Sequence, residues 1–242
     1  MIQRMLASAL FAGFAAGLLA ALLHFAFVQE LILLGEEYET GELVHFQNAA
    51  GVEAPAADPA HDEATAGAHD PAPAPEGSDL ARNGMTVLFT ALIYVSYALL
   101  LVAGFALAAH CGRAVSAREG LLWGIGGFAA FQLAPALGLA PELPGTIAAE
   151  LAARQVWWLG TAAATATALA VLGYGRGLLA LAVAGALLAV PHVIGAPEPE
   201  QMMGVAPPEV AAAFAARVLG VGLASWAVLG WLAGHFWAAK AA

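Results

Sequence analysis

The chain has 242 residues and a formal net charge of −10. Hydrophobic residues make up 61% of it and charged residues 11%, whereas soluble domains average about half apolar and a quarter charged. This composition excludes an ordinary soluble enzyme and indicates a membrane protein, for which we expect lipid and no nucleic acid as surroundings.

Six apolar runs are long enough to cross a hydrocarbon layer about 30 Å thick, which takes about 20 helical residues. Lipid leaves no partner for unpaired backbone groups, so each run is predicted to be a helix. The sequence therefore predicts an all-α, polytopic bundle with both termini on one side of the membrane. The predicted spans are residues 5–34, 85–109, 120–139, 155–173, 178–195 and 218–237.

The segment 36–79, between the first two spans, carries most of the acidity. It holds 11 of the 18 carboxylates, three of the seven histidines and no lysine or arginine. From 51 to 77 it is mostly Ala, Pro, Asp, Glu and His, a composition that cannot bury a core. We therefore predict a flexible acidic external loop, at which a cation would first be met.

The basic residues predict the orientation, because they are enriched in cytoplasmic loops. A cytoplasmic N-terminus places five of them inside and three outside, and it places every carboxylate except Glu119 at or beyond the outer face. Both termini are then cytoplasmic. The inner five are Arg4, Arg113, Arg118, Arg176 and Lys240, and the outer three are Arg82, Arg154 and Arg217.

Several other residues have structural interpretations. The outer arginines are expected to anchor helix ends or to pair with Glu142, Glu150 and Glu209. Trp157 and Trp158 are interpreted as part of an outer aromatic belt. Cys111 is the only cysteine, so no disulfide can form within the chain. Pairs of glycines four residues apart predict close helix contacts at Gly13/Gly17, Gly120/Gly124 and Gly230/Gly234.

Five motifs together resemble a known family. They are QELILLGEEYE (29–39), RNGMT (82–86), LWGIGGFAAFQLAPALGLAPELPG (122–145), RQVWW (154–158) and PHVIGAP (191–197). The chain resembles the CbtA family of probable cobalt transporter subunits nearly end to end, and the block 122–158 is the most specific part. The family is described as having fewer spans, commonly five, and the region 155–195 is where our count of six would differ.

The resemblance implies cobalt uptake in a bacterial inner membrane, in a setting of cobalamin synthesis. It also implies a small single-span partner subunit, CbtB, which carries its own histidines. Cobalt(II) would then be the transported ion, and we expect no permanently bound cofactor and no enzymatic activity.

The ligand types in the chain suit cobalt(II), which imidazole and carboxylate groups bind well. We predict a converging metal site at the outer level. His24 and Glu30 lie about 240° apart around a straight helix, so both could serve one ion only through a bend or a partner helix. The predicted ligands are His24, Glu30, Glu142, His192 and Glu198.

Further residues are predicted to feed this site and to continue it inward. In the acidic loop, His45, His61, Asp62, His69 and Asp70 are predicted to collect metal. Within the spans, Gln132, Thr161 and Thr165 could supply oxygens along a pathway, although threonine in a membrane helix usually bonds to its own backbone.

Two alternatives remain open. His24 with His192, and His110 with His235, resemble the two-layer pattern of a dihaem membrane cytochrome. Alternatively, the chain is a non-transporting scaffold subunit of a metal importer. Since the only lysine is Lys240, no phosphate-binding loop can form, and ATP hydrolysis by this chain is not expected.

Overall fold

The fold was analysed in a computed structural model that describes residues 2–45 and 79–239. Within these ranges the chain forms helices and one isolated bridge, between Thr146 and Gly204, but no strand. The predicted all-α class is confirmed. The elements are α1 (Ile2–Phe27), α2 (Gln29–Thr40), α3 (Asp79–His110), α4 (Ala117–Phe128), a π-helical turn (Ala129–Leu133), α5 (Ala134–Ala136), α6 (Leu151–Tyr174), α7 (Gly177–Ile194) and α8 (Pro208–Ala239).

Five helices are long and apolar enough to span a membrane, namely α1, α3, α6, α7 and α8. The helices α3 and α8 have 32 residues each. At 1.5 Å per residue each is about 48 Å long, so it extends well beyond a hydrocarbon layer of about 30 Å. The chain is therefore a multi-pass membrane protein.

The predicted span 120–139 is made of three shorter elements, α4, the π turn and α5. This segment runs antiparallel to α8: Gly120 lies against Gly234, Gly124 against Gly230, and Gln132 against Gly222. The paired positions cover 12 residues of each element, about 18 Å. Because the π turn and Pro135 interrupt the regular α pattern, no single long helix forms here. The predicted span 120–139 is therefore not among the five long apolar helices, whereas the region 155–195 supplies two of them, α6 and α7.

The two ends of the bundle differ in character. The ring of Phe11 in α1 contacts Phe236 in α8, and the Arg217 side chain reaches the Phe27 carbonyl, so α1 and α8 are antiparallel. The start of α1 and the end of α8 define the terminal end. The opposite, loop end carries α2 and the connections 137–150 and 195–207, which are joined where the Ile147 N–H donates to the Met203 carbonyl (2.9 Å).

The predicted end of the first span (5–34) is wrong, because α1 ends at Phe27 and a separate helix, α2, begins at Gln29. Val28 stays in the right-handed helical region but with a stretched φ (φ −114°, ψ −43°), and the Leu31 N–H bonds to the Val28 carbonyl, three residues back. Arg217 Nη1 donates to the Phe27 carbonyl at the bend (3.0 Å). This side chain supplies a donor where the regular ladder is broken.

The predicted flexible loop also begins too early, because residues 36–40 belong to α2. Leu31 and Gly35 are buried on this helix, and Gly35 packs against Leu143 and Pro144. Gly41 ends α2 in the left-handed conformation (φ +82°), which glycine adopts without strain. At the other end of the loop, Asp79 is already the first residue of α3.

Two close helix contacts hold the bundle together. A Cβ at Gly13 or Gly17 of α1 would lie 2.5–2.6 Å from the Cα atoms of Val95 and Ala91 in α3. On the other side of the bundle, Gly120 and Gly124 of α4 pack directly on Gly230 and Gly234 of α8. Absence of side chains lets these backbones approach closely.

The helices α6 and α7 form a hairpin at the edge of this bundle. Among the described elements, α7 packs only against α6, while α6 also reaches the π turn, α5 and α4. Only 11% of the span in α7 is buried. Its exposed apolar residues include Leu178, Leu179, Val193 and Ile194. The hairpin is therefore attached to the bundle through one side of α6.

Candidate functional site

The two predicted histidine ligands lie on helices that do not touch. His24 is half-buried near the loop end of α1, two turns beyond the contact of Gly17 with α3. His192 is exposed near the loop end of α7, where its ring meets the Trp157 ring edge-on at 6.0 Å. Because α1 and α7 make no contact, the structure does not bring His24 and His192 together.

The three predicted carboxylate ligands are also separate. The Glu30 side chain is 86% exposed and lies 4.0 Å from Arg217, and Glu198 is exposed in the connection before α8. Glu142 forms a 2.8 Å ion pair with Arg154. Among residues 2–45 and 79–239, no group of three or more His, Cys, Asp or Glu side chains could hold a metal. One converging site therefore does not form within the described residues.

Only one of the five predicted metal-collecting residues lies in the part of the chain that the structure describes. His45 is half-buried at the end of the first described range. His61, Asp62, His69 and Asp70 lie outside the described residues.

Two histidines at the terminal end are solvent- or lipid-exposed. His110 ends α3, and the His235 ring stacks on Trp231 in α8 at 5.8 Å. A dihaem arrangement also needs His24 and His192 on facing helices. Since α1 and α7 are not neighbours, the outer haem layer lacks that pairing.

A cavity of about 710 Å³ opens at the loop end, between the π turn, α6 and α8. The Glu142 and Arg154 ion pair stands at its mouth, and Gln155 lines its wall. Gln132 and Pro135 lie deeper, inside the bundle. This loop-end cavity thus combines a carboxylate, two amide side chains and an apolar wall.

Gln132 has an unusual environment. It occupies the π turn, and its Oε1 atom is buried without a hydrogen-bond partner. The side chain fits against Gly222 of α8, where a Cβ would overlap this oxygen. A π turn is often found at functional sites because it displaces side chains from the regular helical pattern. A buried acceptor without a partner costs free energy unless a ligand or water satisfies it.

The two predicted pathway threonines do not line this cavity. Thr161 and Thr165 are buried on the same stripe of α6 as Trp157, whose Nε1 donates to the Pro191 carbonyl of α7 (3.1 Å). The Thr161 hydroxyl donates to the Trp157 carbonyl (2.8 Å). Neither threonine lines the loop-end cavity, and Thr161 bonds to its own helix instead.

Aromatic residues form the floor of the loop-end cavity, and the sequence did not single them out. Tyr97 of α3, Phe131 of the π turn and Trp226 of α8 form what we call the aromatic cluster. The Tyr97 and Trp226 centroids are 4.6 Å apart, and the Phe131 and Trp226 rings stack at 5.9 Å. Trp158, expected in an outer belt, instead packs against Phe131 inside the molecule (5.9 Å).

A second cavity, of about 490 Å³, lies below the aromatic cluster. It runs between α3, α4, α6 and α8 and reaches Glu119 in the first turn of α4 and Tyr174 at the end of α6. Its walls are mostly apolar, with Gly126 and Ala170 among them. We call it the terminal-end cavity.

The outer arginines and acids have defined structural partners. Arg154 pairs with Glu142 as predicted, whereas Arg217 approaches Glu30 and binds the Phe27 carbonyl. Glu150 caps α6: its carboxylate accepts the Ala152 and Ala153 N–H groups at 2.8 and 2.7 Å. These two backbone hydrogen bonds lower the pKa of Glu150 from its ordinary value.

The fold and the two cavities define a multi-pass helical membrane protein with one recess at the loop end, which carries a few polar side chains, and a mostly apolar recess that reaches the terminal end. A sequence model of the CbtA family, described as a probable cobalt transporter subunit, matches residues 2–238. The chain belongs to this family. No curated protein and no solved structure matches it.

Proposed function

We propose that this chain is a membrane subunit for uptake of cobalt(II), or a similar divalent transition metal, and that the ion enters through the loop-end cavity. The observation that supports this most directly is that Gln132, whose buried Oε1 packs against Gly222 without a hydrogen-bond partner, lines that cavity together with the Glu142 carboxylate. Amide and carboxylate oxygens bind divalent cations, and imidazole strengthens binding of cobalt(II).

The described part of the chain supplies too few ligands for a complete chelate. We propose that imidazoles come from outside the cavity, from the acidic loop with His61 and His69 or from a small single-span CbtB-type partner. The acidic groups of this loop would raise the local cation concentration, whereas selection would occur in the cavity. His24 and His192 are proposed as separate contacts for such a partner or for the ion on its way, not as one chelate.

Uptake needs no ATP hydrolysis by this chain. With both termini in the cytoplasm, as the basic residues favour, the loop-end cavity faces outward. A cation moving inward gains about 2.3 kcal/mol per charge for each 100 mV of inside-negative potential. A divalent ion carries two charges, so its gain is twice as large.

The central experiment measures initial uptake of labelled cobalt in cells that lack other importers, with this chain and its partner co-expressed. Gln132→Leu keeps a side chain of similar size but removes the oxygen, so we expect uptake to fall strongly. The matched control is Gln201→Leu, since Gln201 is exposed in the connection 195–207 and does not line the cavity. Equal uptake in the two variants would contradict the proposed site.

The two charges of the ion pair at the cavity mouth should affect cobalt affinity in opposite directions. A carboxylate attracts the arriving ion, whereas Arg154 repels it. At about 4 Å a pair of unit charges in water interacts by about 1 kcal/mol, or about fivefold in affinity. We therefore expect Glu142→Gln to raise the half-saturating cobalt concentration and Arg154→Gln to lower it. Arg82→Gln removes a loop-end charge that does not line the cavity, so it should do neither.

A scaffold role is a second candidate, favoured by the lack of a three-ligand group among the described residues. It predicts that the partner alone carries the metal. Uptake by this chain expressed without a partner would argue against the scaffold role.

A further inference from the structure

The two cavities share a wall. Tyr97 and Phe131 line both the loop-end and the terminal-end cavity, and Trp226 lines the terminal-end cavity and contacts both rings. The Tyr97 and Phe131 centroids are 5.7 Å apart, so the three rings are in mutual contact. A barrier about one layer of side chains thick therefore separates two recesses that reach opposite ends of the bundle.

The rings of the aromatic cluster come from three different elements. Tyr97 belongs to α3, Phe131 to the π turn and Trp226 to α8. The fourth wall is α6, which contributes Trp158 above the cluster and Ala170 below it. A shift of the π turn relative to α8 would separate Phe131 from Trp226, whereas Gly120 and Gly124, which contact α8 closely, belong to α4 and not to the π turn.

Two buried polar atoms at the aromatic cluster have no hydrogen-bond partner. Trp226 is 1% exposed, and its Nε1 donor has no partner, while the Gln132 Oε1 acceptor, packed one helical turn away at Gly222, has none either. Each unsatisfied group costs about 1–3 kcal/mol. A second arrangement in which water, an ion or a neighbouring group satisfies them would recover this cost.

We propose that the aromatic cluster is a gate between two half-channels and that the π turn is its hinge. This inference rests on the proposed transport function, which needs a barrier that prevents free leakage across the membrane. An apolar constriction of this kind closes a pathway by excluding water and opens when its rings separate. In the observed structure the gate is closed.

The test measures water access by cysteine labelling and needs no metal. In a Cys111→Ser background, single cysteines are placed at Ala140 in the loop-end cavity and at Ala170 in the terminal-end cavity. Ala182→Cys, on the exposed face of α7, reports on lipid. A charged, membrane-impermeant thiol reagent is then applied to one side at a time.

With the gate intact, we expect Ala140→Cys to react only from the loop side, Ala170→Cys only from the side of the termini, and Ala182→Cys from neither. Adding Phe131→Ala should make Ala170→Cys react from the loop side as well, with its labelling rate raised about tenfold or more. Tyr97→Phe, which keeps the ring, should leave the sidedness unchanged.

Two results would overturn the gate. One is an Ala170→Cys protein that resists the charged reagent from both sides, which would mean that the terminal-end cavity is filled by lipid. The other is unchanged sidedness in Phe131→Ala; if that variant misfolds on size exclusion, Phe131→Leu takes its place with the same expectation and a smaller change. Because labelling does not involve cobalt, failed cobalt uptake with correct sidedness would reject the transported ion and leave the gate standing.

Discussion

The bundle of α1, α3, α4 and α8 and the hairpin of α6 and α7 are packed in different ways. In the bundle, glycines let backbones touch, as Gly17 does against Ala91 and Gly124 against Gly230. In the hairpin, a Cβ at Gly160 or Gly185 would meet nothing within 4 Å. Both cavities lie along the boundary between the two regions, and α6 lines each of them. The comparison indicates that space for a solute exists where tight packing ends.

The largest expected effect is on stability, from alanine in place of glycine. Gly124→Ala would force a methyl group into the Trp226 carbonyl and Gly230, and overpacking of this kind costs about 1–3 kcal/mol. We expect the Tm of the purified protein in detergent to fall by about 2–10 °C. Gly160→Ala, the matched control in the hairpin, should leave the Tm unchanged or raise it, because alanine favours helix. Equal losses would remove the distinction between the regions.

A second prediction concerns the boundary itself. A methyl group at Gly222 would displace the Gln132 amide, which is the movable end of a flexible side chain, so Gly222→Ala should lower cobalt uptake several-fold while changing the Tm by little. The control is Gly220→Ala two residues away, where a Cβ would meet nothing within 4 Å. A Tm loss as large as that of Gly124→Ala would show that Gly222 belongs to the rigid bundle instead.

A smaller effect is expected from a buried hydroxyl in the bundle. The Ser8 side chain is fully buried, and its Oγ has no hydrogen-bond partner. Ser8→Ala removes a desolvated polar group and keeps the small size, so we expect a Tm equal to or slightly above that of the natural protein. A clear decrease would mean that Ser8 is satisfied in the membrane by a group such as bound water.

The smallest effect belongs to the cap of the hairpin. The Ala152 and Ala153 N–H groups lower the pKa of Glu150, so the ionised carboxylate stabilises the folded state. This contribution is complete above the ordinary carboxyl pKa of 4.5 and is lost as the pH falls through the lowered value. Glu150→Ala should therefore lower the Tm at neutral pH, and the difference should shrink in acid. Glu200→Ala, at an exposed position outside the helices, should show neither change.

The sequence predicted the crossing helices well because each depends on a local property, a long apolar run. Glycine pairs such as Gly120/Gly124 also predicted close contacts correctly. Neither signal specifies which helix is the neighbour, since every side of a membrane helix is apolar. For that reason His24 and His192 could be placed at the same level of the membrane but not on helices that meet.

The missed features have a common physical origin. The bend at Val28 and the π turn at Ala129–Leu133 depend on tertiary partners, namely the Arg217 side chain and the surface of α8 at Gly222. The aromatic cluster was hidden because its rings lie within apolar runs, where aromatic residues are unremarkable. Gln132 was the one local signal of a special position, and it lies next to the cluster.

The bend at Val28 couples an early part of the chain to a late one. Its Phe27 carbonyl is held by Arg217, which lies 190 residues later in the chain. While the ribosome is still producing the middle of the protein, α1 has neither this donor nor the α8 surface on which it packs. The end of α1 thus gains its contact with Arg217 only once α8 is in place, and synthesis that stops before α8 leaves α1 with α3 as a neighbour but without α8.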